Sequence, residues 1–181
     1  MAYGLLLIRA VFGLSLAAHG GQKLFGWFGG SGPSGTAAIL SSLRYRAPLL
    51  MAFVAALSEV AGGVLFTVGL ATPFAALLMA VVMINAIATV HWAKGFWGFQ
   101  GGYEYNLEIL TVALGVAATG PGRFSLDALI GWDGLSGLQW GVAVAVTAAA
   151  VSVLALTIGR TPQTTVQEVL GAEPRVPHAS A

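Results

Sequence analysis

Five long apolar stretches decide what this chain can fold into. A helix needs about 20 mostly apolar residues to cross the hydrocarbon core of a bilayer. The stretches lie at about residues 4–24, 49–70, 73–93, 104–120 and 138–158. The last, LQWGVAVAVTAAAVSVLALTI, contains no charged residue. The sequence therefore predicts an all-α fold, a polytopic transmembrane helical bundle that lies in a lipid bilayer.

The composition agrees with this class of protein. Only 8% of the residues are charged and 57% are hydrophobic, whereas soluble domains carry about 25% charged residues. The net charge of +1 and the lack of a basic stripe give no sign of nucleic-acid binding. The chain has no cysteine, so it can form neither disulfides nor thiolate metal sites. Any sulfur or electron chemistry must therefore involve a cofactor or a partner protein.

The sequence predicts a membrane span at the start of the chain and a mobile tail at its end. The first stretch is interrupted by Arg9, has no basic region before it and no convincing cleavage site after it. We therefore expect it to be retained as a membrane span and not removed as a signal peptide. Arg9 itself is expected to extend outward to the headgroups. The polar, proline-containing segment 159–181 is expected to be a mobile tail.

The distribution of basic residues predicts the orientation. Cytoplasmic loops carry an excess of lysine and arginine. With five spans, one side of the membrane receives most of them: Lys23, Arg44, Arg46, Lys94, Arg160 and Arg175. The N-terminus is therefore predicted outside and the C-terminus in the cytoplasm. The segment 35–46, GTAAILSSLRYR, is predicted to form a short amphipathic helix at the inner interface.

Polar residues gather towards this inner side on four different spans. Ionisable groups inside a bilayer cost about 2.5–3.5 kcal/mol each on insertion scales, so they usually face inward and pair. His19 and Lys23 are expected to meet acids or a histidine from other helices. The candidates are Glu59, His91, Glu104 and Glu108. Nearby aromatic residues, among them Trp92, are typical of a belt that anchors helix ends.

Several of these segments resemble one family. LAAHGGQKLFGWFGG, SEVAGGVLFTVGLAT, ATVHWAKGFW and GGYEYNLEILTVALGVAATGPGRFSLD are similar, in order and spacing, to segments of the DoxX family of small bacterial membrane proteins. The resemblance covers about residues 4–127 and implies a four-helix core in the bacterial inner membrane. The span at 138–158 is then a fifth, additional helix. The family pattern maps onto these positions: His19, Gln22, Lys23, Glu59, His91, Glu104 and Asn106.

The resemblance implies a role in oxidoreductase complexes, and three functions remain open. The first is a membrane subunit that anchors soluble redox, oxidative-stress or sulfurtransferase enzymes at the cytoplasmic face, with Arg44, Arg46 and Lys94 as docking residues. The second is a quinone-reactive subunit, similar to that of a thiosulfate:quinone oxidoreductase. The third is a small-molecule or proton-coupled carrier. An oligomer is compatible with all three.

The quinone hypothesis makes the most specific use of the residues. His19 or Lys23 would donate a hydrogen bond to a carbonyl group, Glu104 or Glu108 would relay protons, and Trp92 would stack on the ring. No catalytic residue can be assigned from the sequence. A haem or metal site is not favoured, because the Glu-x-x-His spacing of di-iron bundles is absent.

Overall fold

The computed structural model describes residues 2–161, which form seven α-helices. The helices are α1 (Ala2–Phe25), α2 (Gly32–Ser42), α3 (Pro48–Val68), α4 (Thr72–Ala86), α5 (Glu104–Thr119), α6 (Leu126–Leu129) and α7 (Leu138–Ile158). A π-helical turn, Ile87–His91, and a 3₁₀ turn, Trp92–Lys94, prolong α4. Most of the predicted mobile tail, from residue 162 onward, lies outside the described residues.

The helical membrane bundle predicted from the sequence is confirmed, and the helices lie close to the predicted boundaries. Among the described residues, four helices are long and apolar enough to cross a membrane: α1, α3, α4 with its continuation to Lys94, and α7. Helix α5 has 16 residues, which is about 24 Å at 1.5 Å per residue. It is therefore the shortest of the five predicted spans.

The five long helices run between two ends of the bundle. At one, the Asp127 end, the backbone N–H of Asp127 donates to the carbonyl of Gly69 at 2.9 Å. At the other, the His91 end, the N–H of Arg46 donates to the carbonyl of Gly159 at 2.9 Å. Helix α5 begins beside His91 and ends beside the start of α7, so it also joins the two ends. The first and last described residues consequently lie at opposite ends.

Helix α4 lies at the centre of the packing. It contacts α3, α5 and α7, while α1 packs mainly on α3. Helices α1 and α5 barely touch each other, which leaves a seam between them on the surface. The buried core combines large and small side chains from these helices, including Leu16, Phe66, Met79, Ile109 and Val144.

Glycines set the close contact between α1 and α3. A Cβ atom on Gly63 would lie 2.5 Å from the carbonyl oxygen of Gly13, and one on Gly13 would lie 2.6 Å from that of Gly63. Gly62 instead faces Leu78 and Met79 of α4. The small residues near position 60 therefore allow α3 to pack closely on two neighbours, as expected for small-residue ridges in membrane helices.

Helix α2 begins three residues before the predicted amphipathic segment and ends before its basic residues. Leu43 closes the helix, and Arg44 follows with a φ of 66°. Arg44 and Arg46 therefore lie in the turn that leads to α3. Their backbones bond to Gly159 and Thr161, so the end of α7 holds this turn in place.

The expectation that Arg9 extends outward to the headgroups is wrong. Its side chain is fully buried, and Nη2 donates to the carbonyl oxygen of Phe124. The carboxylate of Asp127 attracts it electrostatically. Arg9 is buried because the segment before α6 folds over α1. This segment supplies polar partners for Arg9 at a depth where the sequence predicts contact with lipid.

Asp127 connects three parts of the chain at this end. It is buried, and its carboxylate accepts hydrogen bonds from the N–H of Ala71 at 2.7 Å and from the N–H and hydroxyl of Thr72 at 2.9 and 2.6 Å. These donors belong to the first turn of α4, where backbone N–H groups have no partner within the helix. A residue 55 positions away therefore caps α4.

Candidate functional site

A cavity of about 670 Å³ lies inside the His91 end. Its wall is largely apolar and includes Leu16, Met51, Val82 and Met83. Six of the polar residues selected from the sequence also line it: His19, Gln22, Lys23, Glu59, His91 and Asn106. Side chains from four separate helices or their continuations thus share one space, which is the strongest candidate for a binding site.

A buried ion pair forms part of the cavity wall. The Nζ atom of Lys23 on α1 donates to Oε1 of Glu59 on α3. Glu59 is 1% exposed and Lys23 is 31% exposed. The second carboxylate oxygen, Oε2, is buried and has no hydrogen-bond partner among the described residues. Lys23 is thus paired with Glu59, one of the four partners predicted from the sequence.

His91 and Asn106 are held by local contacts. Nδ1 of His91 lies 2.6 Å from the carbonyl oxygen of Gly101. Because a carbonyl oxygen only accepts, Nδ1 carries the proton and Nε2 of the neutral ring is an acceptor. The side-chain amide of Asn106 is buried and lies 3.5 Å from the sulfur of Met83, a weak acceptor. Asn106 therefore retains hydrogen-bonding capacity next to the cavity.

His19 lies where the cavity meets the seam between α1 and α5. Its side chain is exposed, and its ring centroid lies 6.0 Å from that of Tyr105. Tyr105 also lines the cavity and bonds to Ser15 of α1. Tyr105 therefore contacts α1 at this depth through both His19 and Ser15.

Three other predicted site residues do not line the cavity. Trp92 is exposed and stacks on Tyr103, with ring centroids 5.5 Å apart. Oε2 of Glu104 accepts a hydrogen bond from the N–H of Gly98 at 2.8 Å. Glu108 is exposed on the surface of α5. The expected approach of Glu104 and Glu108 to His19 and Lys23 is therefore not seen.

The predicted docking residues lie on the surface of the same end. Lys94 and Arg46 are exposed, whereas Arg44 is half-buried with Nε 3.4 Å from Oγ1 of Thr161. All residues from Trp92 to Gln100 are exposed, including Phe99 at 83%. This combined aromatic and basic surface borders the cavity.

Tyr45 and Asn85 are among the cavity residues that reasoning from the sequence missed. Burial raises the pKa of the Tyr45 phenol, while the positive charge of Arg160 opposes the shift. A side-chain hydrogen bond with Thr89 also opposes the shift. The phenol is therefore neutral at physiological pH and carries an O–H group that can donate a hydrogen bond. The amide Nδ2 of Asn85 donates to the carbonyl of Val81 and the hydroxyl of Ser152. The occurrence of an asparagine within an apolar stretch is the sequence feature that could have predicted this contact.

The described residues contain no group of three or more histidine, aspartate or glutamate side chains placed to hold a metal ion. His19 and His91 line the cavity from different helices, but each has its own neighbour, Tyr105 and Gly101 respectively. The chemistry that this part of the chain offers is hydrogen bonding and proton exchange beside an apolar space.

Comparison with known proteins places these features in a family context. The family model described as DoxX matches residues 4–92. A Bacillus subtilis (strain 168) protein named "Putative oxidoreductase CatD" is 33% identical over 127 residues, which cover 70% of this chain and 87% of the relative. No solved structure matches the chain.

Proposed function

Since the chain belongs to the DoxX family of membrane proteins, we propose that it is the membrane subunit of an oxidoreductase and that the cavity at its His91 end binds a quinone-type ligand. The observation that carries the proposal is the cavity of about 670 Å³. Small-molecule sites commonly have volumes of roughly 300–1,000 Å³, with apolar walls and a few polar groups. The Bacillus subtilis relative is named as an oxidoreductase, and this name supports a redox role.

The cavity wall matches the two requirements of such a ligand. A quinone ring needs an apolar slot, and its carbonyl oxygens need hydrogen-bond donors. Met51, Val82 and Met83 supply apolar surface, while Lys23 and Tyr45 supply donors. Lys23 is held by Glu59 yet is only partly buried, so its ammonium group has further protons that it can donate to a ligand.

The same side chains support proton exchange. Reduction of a quinone consumes two electrons and two protons, and the chain's contribution is to supply protons and exclude water. His91, oriented by Gly101, and His19, at the seam, line the cavity with imidazole rings, whose two nitrogens can accept and donate a proton. We assign the electron donor to a partner protein, because the sequence contains no cysteine for thiol chemistry.

Filling the cavity is expected to abolish ligand binding. Ala55 of α3 lines the cavity, so Ala55→Trp places an indole in the space that the ring would occupy. The dissociation constant for a short-tailed benzoquinone should rise more than tenfold, as measured by equilibrium binding to purified protein in lipid nanodiscs. Ala61→Trp is the matched control, because Ala61 is an exposed α3 residue outside the cavity.

Two results would contradict the proposed site. The first is a lack of saturable binding to the unaltered protein. The second is equal affinity of the Ala55→Trp and Ala61→Trp variants when both melt at the temperature of the unaltered protein. Binding to the unaltered protein that is lost only in Ala55→Trp would support the proposal.

A second candidate function, anchoring of a soluble enzyme, is favoured by the exposed segment from Trp92 to Gln100. The positive-inside rule assigns the His91 end to the cytoplasm of a bacterium, where Lys94, Arg46 and this segment would meet a partner. Affinity purification from native membranes should then recover a soluble oxidoreductase or sulfurtransferase, and Lys94→Glu should reduce its yield severalfold. Isolation of the chain without such an enzyme would exclude this role.

The orientation itself can be measured with the same segment. The chain has no cysteine, so Phe99→Cys introduces a single exposed thiol. A membrane-impermeant maleimide should label it only after the cells are opened. Labelling of intact cells would place the His91 end outside and exclude docking of a cytoplasmic enzyme there.

A further inference from the structure

Two oxygen atoms of cavity-lining residues are buried and have no hydrogen-bond partner among residues 2–161. They are Oε2 of Glu59 on α3 and Oδ1 of Asn85 on α4. Glu59 as a whole is 1% exposed. Buried polar atoms in native structures nearly always have a partner, because an unpaired one loses its hydration without replacement. The two atoms therefore mark hydrogen bonds that the described part of the chain does not complete.

Both atoms are acceptors. The ammonium group of Lys23 donates to Oε1 of Glu59 and leaves Oε2 as the open position of the carboxylate. In Asn85, Nδ2 lies 2.8 Å from the carbonyl oxygen of Val81. Because a carbonyl oxygen only accepts, this atom of the amide is the nitrogen, and the unpaired atom is the oxygen. A ligand that completes the wall must consequently donate two hydrogen bonds.

The two residues are separated by about the length of one ring. Helices α3 and α4 are antiparallel, since only residues 69–71 connect them. A Cβ atom on Gly62 would lie 3.1 Å from Cβ of Leu78, which sets the register. Glu59 lies three residues from Gly62 towards the His91 end. Asn85 lies seven residues from Leu78 in the same direction, which is about 6 Å further at 1.5 Å per residue.

We propose that the cavity binds a hydroquinone, the reduced and dihydroxy form of a quinone, more tightly than the quinone itself. This inference rests on the proposed quinone-type site and specifies which redox form the site prefers. One hydroxyl group donates to Oε2 of Glu59 and the other to Oδ1 of Asn85. The carbonyl oxygens of a quinone only accept. The quinone therefore leaves both buried oxygens unpaired, which is the basis of strong discrimination in binding sites.

The donors in the cavity wall do not reverse this preference. A hydroxyl oxygen accepts a hydrogen bond as a carbonyl oxygen does, so Lys23 and Tyr45 can bond to either redox form. The acceptors alone distinguish the two forms. Tighter binding of the hydroquinone also favours reduction of a bound quinone, and a tenfold preference corresponds to about 30 mV for a two-electron couple.

The preference can be tested by equilibrium binding of duroquinone and durohydroquinone to the purified protein in lipid nanodiscs without oxygen. Durohydroquinone should bind more than tenfold more tightly. In Glu59→Gln, Lys23 retains the amide oxygen and the amide nitrogen, a donor, replaces Oε2. This variant should bind durohydroquinone more weakly and duroquinone more tightly, so the preference should fall at least tenfold. Asp133→Asn makes the same exchange at an exposed position and should change neither affinity.

A second variant tests the other acceptor. Asn85→Leu removes Oδ1 and should weaken the binding of durohydroquinone severalfold more than that of duroquinone. Equal affinity of the unaltered protein for the two forms, or an unchanged preference in both variants, would overturn the inference and leave the quinone-type site in place. A lack of saturable binding of either form would instead contradict the proposed function, and the preference with it.

Discussion

Replacing Asp127 with alanine is expected to lower the free energy of unfolding by about 3–5 kcal/mol, the range seen when one partner of a buried charged pair is removed. The variant loses the three hydrogen bonds that Asp127 accepts from Ala71 and Thr72. It also leaves the buried guanidinium of Arg9 without its counter-charge. For a chain of this size, the melting temperature should fall by roughly 6–20 °C.

Two variants make this prediction specific. Asp133→Ala changes an exposed aspartate in the same connection and should alter stability by less than about 0.5 kcal/mol. Arg9→Met should lower the free energy of unfolding by less than Asp127→Ala does. The reason is that Nε and Nη1 of Arg9 already have no hydrogen-bond partner among the described residues. Thermal unfolding in detergent measures all three. Equal melting of the Asp127→Ala and Asp133→Ala variants would show that Asp127 does not cap α4.

Removing either partner of the ion pair in the cavity wall is expected to lower the free energy of unfolding, but by unequal amounts for Lys23 and Glu59. Lys23→Met leaves Glu59, which is 1% exposed, as an uncompensated buried charge and should cost about 3–5 kcal/mol. Glu59→Gln leaves Lys23, which is 31% exposed and can reach water. Its cost should therefore be smaller, on the order of 1 kcal/mol, as for a typical hydrogen bond.

A double-mutant cycle gives the decisive control for this pair. The variant that combines Lys23→Met and Glu59→Gln contains no charge at either position, so it should be more stable than Lys23→Met alone. Chemical unfolding of the four proteins in mixed micelles gives the coupling energy between the two side chains. Additive effects of the single changes would contradict a direct interaction between Lys23 and Glu59.

The helices were well predicted because the signal for a membrane span is local. Apolar runs of sufficient length predict α1, α3, α5, α7 and α4 with its continuation to Lys94 within a few residues of their observed ends. Residue type also identified which polar side chains are costly in a bilayer. Six of the nine predicted ligand-site residues line the cavity.

The errors arise where a distant segment supplies the partner. Arg9 was expected to reach the headgroups, but it is buried beneath the connection that carries Phe124 and Asp127. The sequence around Arg9 gives no indication of these two residues, because they lie more than 100 positions further along the chain. Tyr45 was similarly missed because its place in the cavity wall depends on the contact between its turn and the end of α7.

The sequence by itself determined that this is a multi-pass helical membrane protein of the DoxX family, since hydropathy and the family's motifs are carried by consecutive residues. Only the tertiary structure decided which polar groups act together: Glu59 faces the cavity, whereas Glu108 faces outward. The physical reason is helix rotation. Burial of Ile109, Ala113 and Val116 against neighbouring helices fixes which side of α5 points inward, and that choice depends on packing across the whole bundle.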